Sequence, residues 1–117
     1  MTPPRSPPAG DILAALHEVL LARRDADPDS SYVARLYARG TDRILQKVGE
    51  EAVETLLAAK SDNDDALIAE LADLWFHTLV LLAHRGLHPD RVLNELARRF
   101  GVGGLEEKAA RSPLSSG

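Results

Sequence analysis

The stretch "TDRILQKVGEEAVETLLAAKSDNDDALIAELADLWFHTLVLLAHRG", residues 41–86, decides the fold. It reads as two helices joined by a polar break. Apolar residues recur every three or four positions, β-branched residues are few, and nothing alternates with period two for long. Ala, Leu, Glu and Arg dominate, which favours helix throughout. Thr41 or Asp42 is the expected N-cap of the first helix, which reaches about residue 60, where "SDNDD" supplies both a stop and fresh capping side chains. The second covers about 64–85 and closes at Gly86, a glycine placed just past a helix end.

Outward from this pair the same grammar continues. A helix is expected over about 11–25, with Leu13, Leu16 and Leu20 on one face, stopping at "DADPDS". Ser30 or Ser31 caps a short segment, "YVARLYAR", which ends at Gly40. His88 and Pro89 open a last helix to about residue 100, Pro89 suiting its first turn. The expectation is an all-α bundle of four to five helices in one domain, 11–100. Residues 1–10, "MTPPRSPPAG", read as a flexible proline-rich tail and not a secretory signal, and 101–117 as a mobile tail in which "LEEKAA" can form a turn of helix.

Composition narrows the chemistry. The 117 residues include no cysteine, which removes disulfides, thiolate metal sites and thiol nucleophiles, so any metal is held by carboxylate or imidazole. Net charge is −4 and the fourteen Lys and Arg residues are scattered, so no nucleic-acid partner is expected. No apolar run is read as approaching the roughly 18 residues of a membrane span, and the cytoplasm is the expected location.

The two central helices carry the unusual feature. On the first, Lys47, Glu50, Glu51 and Glu54 fall in one narrow sector with Arg43 and Ala58 at its ends. Leu45, Val48, Ala52 and Leu56 are the expected core stripe opposite, with Val53 and Leu57 flanking the acids on one side and Ile44 on the other. The second helix is apolar nearly all round, interrupted by Glu70, Asp73, Thr78, His77 and His84, and Glu70, Asp73 and His77 share one side. A Glu-x-x-Glu by itself is an ordinary solvated face. Carboxylates on a helix that expects burial are another matter, because a bare buried charge must neutralise or find a cation, and no Lys or Arg lies between Asp65 and His84. Four or five oxygen donors from two helices suit magnesium or manganese, with water in the remaining positions. His77 is placed no nearer than behind the ligands, and His17, His84 and His88 are read as lacking company. Lys47 is either an intrahelical partner of the acids, worth a few tenths of a kcal/mol, or a phosphate contact.

These residues carry a resemblance. "YVARLYARGTDRILQKVGEEAVETLLAA" followed by "LIAELADLWFHTLVLLAHRGL" resembles the phosphoribosyl-ATP pyrophosphatase family over about 11–100, within the wider all-α MazG-like group of nucleotide pyrophosphohydrolases. The group signature is Glu-Glu-x-x-Glu and then Glu-x-x-Asp on the next helix. Here these are Glu50, Glu51 and Glu54, then Glu70 and Asp73, fifteen residues separating Glu54 from Glu70. "QKVGEEAVE", "ELADLWFH", Gly40, Arg43 with Ile44, and the "SY" with a leucine four residues after the tyrosine narrow it to the histidine-pathway enzyme.

The resemblance implies hydrolysis of the α–β phosphoanhydride of N1-(5-phosphoribosyl)-ATP, with magnesium, to phosphoribosyl-AMP and pyrophosphate. Glu51, Glu54, Glu70 and Asp73 are then the metal ligands, Glu50 a candidate base, and Lys47 and Arg43 the phosphate contacts, Lys47 the stronger; Arg35 and Arg39 are weaker candidates for substrate contact by the same logic, and Tyr32 either lies against the base of the substrate or only packs. No glycine-rich phosphate loop is present, so metal and basic side chains must hold the triphosphate. The absence of cysteines for a fused zinc cyclohydrolase implies the stand-alone form. With five aromatic residues and so much apolar circumference, the chain is expected to complete its bundle as a homodimer. The competing readings are a house-cleaning hydrolase of noncanonical or deoxynucleoside triphosphates and a metal-free helical interaction module. A di-iron bundle is disfavoured because His77 stands four from Asp73 and seven from Glu70.

Overall fold

Each break in the helical pattern is enforced by a capping side chain, a proline or a glycine, and these breaks set the course of the chain. A computed structural model describes residues 11–101; the tails expected at 1–10 and beyond, with "LEEKAA", lie outside the described residues. Helix α1 (Ile12–Ala22) tightens at its end, where Arg23 and Arg24 donate to the carbonyls of Leu20 and Leu21, so it stops three residues earlier than the sequence suggests. A 3-10 turn (Pro28–Ser30) follows, its Asp27 carboxylate accepting the Asp29 N–H at 2.9 Å. Ser31 then caps α2 (Tyr32–Arg39), its hydroxyl accepting the Ala34 N–H at 3.0 Å.

Gly40 is a one-residue joint. Its N–H closes α2 on the carbonyls of Leu36 and Tyr37, and its own carbonyl accepts the Ile44 N–H of α3 (Thr41–Ala59) at 3.2 Å. The φ of +91° needed to do both favours glycine. This corrects the capping expectation: Gly40 itself stands at the N-cap, so neither Thr41 nor Asp42 does. After four intervening residues, α4 (Asp64–His84) begins under the Asn63 side chain, which accepts the Ala66 N–H at 3.1 Å. It ends at Gly86 (φ +71°), with the Gly86 N–H on Ala83 and the Leu87 N–H on Leu82, the paired bonds of a glycine-terminated helix. Helix α5 (Asp90–Phe100) follows directly after Pro89. The architecture is all-α, and no strand occurs among the described residues.

Helices α3 and α4 form an antiparallel hairpin, Thr41 facing His84 at one end and Glu51 facing Glu70 further along. α1 packs on α4 and α2 on α3. The buried core gathers Leu20, Val33, Leu36, Ile44, Leu79, Val80 and Ala83 at the end of the hairpin where α3 starts and α4 finishes. The hairpin's other half projects beyond that core.

Two expectations are corrected here. The side of α3 turned inward carries Ile44, fully buried, together with half-buried Lys47, Val48, Glu51 and Thr55, whereas Leu45 and Leu56 of the expected core stripe are exposed, Leu56 to 65%. Lys47 and Glu51 of the acidic strip thus turn toward α4 with Glu50 and Glu54 exposed beside them, and Leu45 and Leu56 are left outward. In addition, α4 is long and apolar enough to cross a membrane by length and composition, with a mean hydropathy of 1.6 over its most apolar window. Glu70 and Asp73 interrupt it, and carboxylates are expensive in hydrocarbon.

Candidate active site

The inward rotation of α3 brings its second and third turns against the first half of α4, and carboxylates from both helices meet there. Glu51, Glu70 and Asp73 each offer an oxygen within 4.8 Å of the others'. Glu51 and Glu70 are half-buried and Asp73 is exposed. Partial burial pushes the Glu70 carboxyl above its ordinary range; the negative charges of Glu51, Glu54 and Asp73, and a hydrogen bond with Glu51, push it the same way. The group is therefore short of positive charge, and its donors are all hard oxygens, which fits a divalent cation of the magnesium type.

Lys47 closes the α2 side of this corner, its ammonium 3.3 Å from Glu50 and 3.5 Å from Glu51. Desolvation lowers its affinity for a proton, yet the hydrogen bond to Glu50 and the charges of Tyr32, Glu50 and Glu51 outweigh this and leave the amine above its usual value. Glu50 also lies 3.8 Å from Arg43. It faces the cations and not the Glu51, Glu70 and Asp73 cluster. Glu54, exposed on the next turn, bears on Glu70 through its charge. Arg35 rests on the Pro28 carbonyl at 3.4 Å, an interaction within its own segment. Arg39 is exposed at the end of α2.

Some contacts cross between helices and leave no mark in the spacing along any one of them. The Tyr32 hydroxyl lies 2.7 Å from Nε2 of His77, a residue 5% exposed whose Nδ1 is 2.7 Å from the Asp73 carbonyl. The remaining histidines have company after all: His84 meets the Thr41 hydroxyl at 2.9 Å and stacks on Tyr37, and buried His17 sets its ring edge to face against His88.

With this geometry in hand, comparison with known proteins gives a consistent result. The model of the family described as phosphoribosyl-ATP pyrophosphohydrolase matches residues 13–100. The phosphoribosyl-ATP pyrophosphatase of Methylococcus capsulatus is 57% identical over 101 residues, covering 86% of this chain and 96% of that protein. That of Hydrogenovibrio crunogenus is 55% identical over 108 residues, covering 89% and 96%.

Proposed function

The chain belongs to the phosphoribosyl-ATP pyrophosphohydrolase family, and on that premise we propose how its acidic corner carries the reaction. The enzyme hydrolyses phosphoribosyl-ATP to phosphoribosyl-AMP and pyrophosphate, the second step of histidine biosynthesis. The observation that carries the mechanistic reading is the convergence of Glu51, Glu70 and Asp73 within 4.8 Å.

In this reading Glu51, Glu70 and Asp73, with Glu54 from the adjoining turn, hold magnesium, for which manganese can substitute. When bound, the ion supplies neutralisation of phosphate charge and acidity toward water. Lys47 and Arg43 take the phosphate oxygens, since both already stand at the rim of the corner on Glu50 and need only exchange one anion for another. That exchange frees the Glu50 carboxylate to receive the proton of the attacking water. Arg35 and Tyr32, on α2, bound the same side, Arg35 less directly because of its bond to Pro28.

Assembly as a homodimer completes the proposal. Leu45, Val53, Leu56 and Leu57 of α3 and Ile68 and Trp75 of α4 are large apolar side chains exposed on a single copy, more than an isolated domain of this size ordinarily leaves in water. The cytoplasm, where an ATP-derived substrate is made, is the proposed location.

The test is product analysis. Phosphoribosyl-ATP incubated with the enzyme and magnesium should yield pyrophosphate and phosphoribosyl-AMP by phosphorus NMR; orthophosphate, or a preference for dCTP or dUTP, would count against it. Calorimetric titration with magnesium should show heat that Asp73→Asn abolishes.

A further inference from the structure

Tyr32 and His77 form a chain of hydrogen bonds whose direction is set at its far end. The Asp73 carbonyl can only accept, so Nδ1 of His77, at 2.7 Å, carries the proton. In the neutral imidazole Nε2 is then a lone pair, and the Tyr32 hydroxyl 2.7 Å away must donate to it. The proton of Tyr32 is thereby committed inward. What its oxygen presents outward is acceptor capacity alone, on a side chain 39% exposed at the first residue of α2, beside Lys47. No other hydrogen bond engages that oxygen among the described residues.

Ionised phosphate oxygens also only accept, so Tyr32 cannot bind them. From this geometry we infer that Tyr32 accepts a hydrogen bond from a hydroxyl of the ribose that bears the triphosphate, with His77 as the positioning residue that fixes the bond's direction. The inference rests on the nucleotide reading above. It divides the labour of the site: Lys47 and the acids serve the phosphates, and Tyr32 serves the sugar one step along, the nearest group with a proton to give. It also accounts for a nearly buried histidine beside a predicted ligand, since without the Asp73 carbonyl to hold Nδ1–H the tyrosine would be free to point its proton at a phosphate.

Two measurements test this without turnover. Nitrogen-15 NMR of the intact enzyme at neutral pH should show His77 as the Nδ1–H tautomer; the Nε2–H tautomer would overturn the inference. Binding is then measured by calorimetry with magnesium and ATP, 2′,3′-dideoxy-ATP or pyrophosphate as the probe. The parent enzyme should bind ATP about three- to tenfold more tightly than the dideoxy nucleotide, the range one net hydrogen bond gives. Tyr32→Phe should erase that difference and leave pyrophosphate affinity unchanged. A parallel loss of pyrophosphate affinity, equal weakening of both nucleotides, or persistence of the ribose preference would each sink it. Failure of the parent enzyme to release pyrophosphate from phosphoribosyl-ATP would instead strike the functional reading, and leave the tautomer and the ATP comparison to stand by themselves.

Discussion

Glu70 is where burial and three negative neighbours press hardest on a single carboxyl. Because its native proton affinity is raised above the ordinary 4.5, there is a pH window just above that value in which the metal-free folded state holds a proton that the unfolded chain releases. Stability should therefore fall as pH rises from about 4.5 through the elevated native value, and Glu70→Gln should flatten that segment of a melting-temperature profile. At pH 7 without metal the variant should melt higher than the parent, and only the parent should gain from added magnesium. Replacing a proposed ligand outright, Glu51→Gln or Asp73→Asn, should cost more than about 100-fold in turnover, since even the partners of metal ligands are worth about 10–100-fold. Circular dichroism should show the helices intact. The five acids are legible from spacing because i, i+3 and i+4 positions share a face whatever the helix packs on. Which of the adjacent Glu50 and Glu51 joins the cluster is not, since the two point about 100° apart and only the packing of α3 on α4 selects one. The pairing of Tyr32 with His77 spans forty-five positions and has no periodic trace.

Helix boundaries follow from caps and glycines, and most of them are readable in advance: Ser31, Asn63 and Gly86 stand where local chemistry puts them. The start of α3 is the exception, because a single residue must serve two helices. A Cβ at Gly40 would meet no atom within 4 Å, so the cost of Gly40→Ala is conformational only, about 1–3 kcal/mol for an L-residue held at φ +91° and ψ −177°. Denaturant unfolding should show it. Ile44→Ala should cost more, about 2–5 kcal/mol, because Ile44 is fully buried where α1, α2 and α4 converge on α3. The orientation of α3 about its own axis is where reading from sequence misleads. Periodicity assigns Leu45, Val48, Ala52 and Leu56 to the core together, but Val48 and Ala52 are half-buried whereas Leu45 and Leu56 are exposed. Fully buried Ile44, which the reading from sequence sets apart from that stripe, takes the inward place, and α3 turns Glu51 rather than Leu56 toward α4.

At the scale of the whole molecule, Leu45 and Leu56 of α3 lie exposed together with apolar side chains of α4 and α5. Trp75 is 59% exposed and α5 has no buried residue, its Val92, Leu93, Leu96 and Phe100 all partly in water. An apolar hollow of about 440 Å3 lies between α5 and the α1–α4 pair, lined in part by Leu13, Trp75, Leu82 and Leu96. If a second copy covers the α3–α4 face, sedimentation velocity should show a dimer, and Leu56→Glu with Ile68→Glu should shift it to monomer while the helices remain. A monomeric parent at micromolar concentration would contradict the proposed assembly. The short link between Ala59 and Asp64 bears on how quickly the chain finds its shape. Glu51 and Glu70 are nineteen positions apart, whereas the core joins Leu20 to Val80 across sixty, and the entropy of loop closure favours the nearer encounter by about 1 kcal/mol. During refolding the acidic hairpin therefore has the shorter loop to close, and a cation that bridges it would act as a template for that closure.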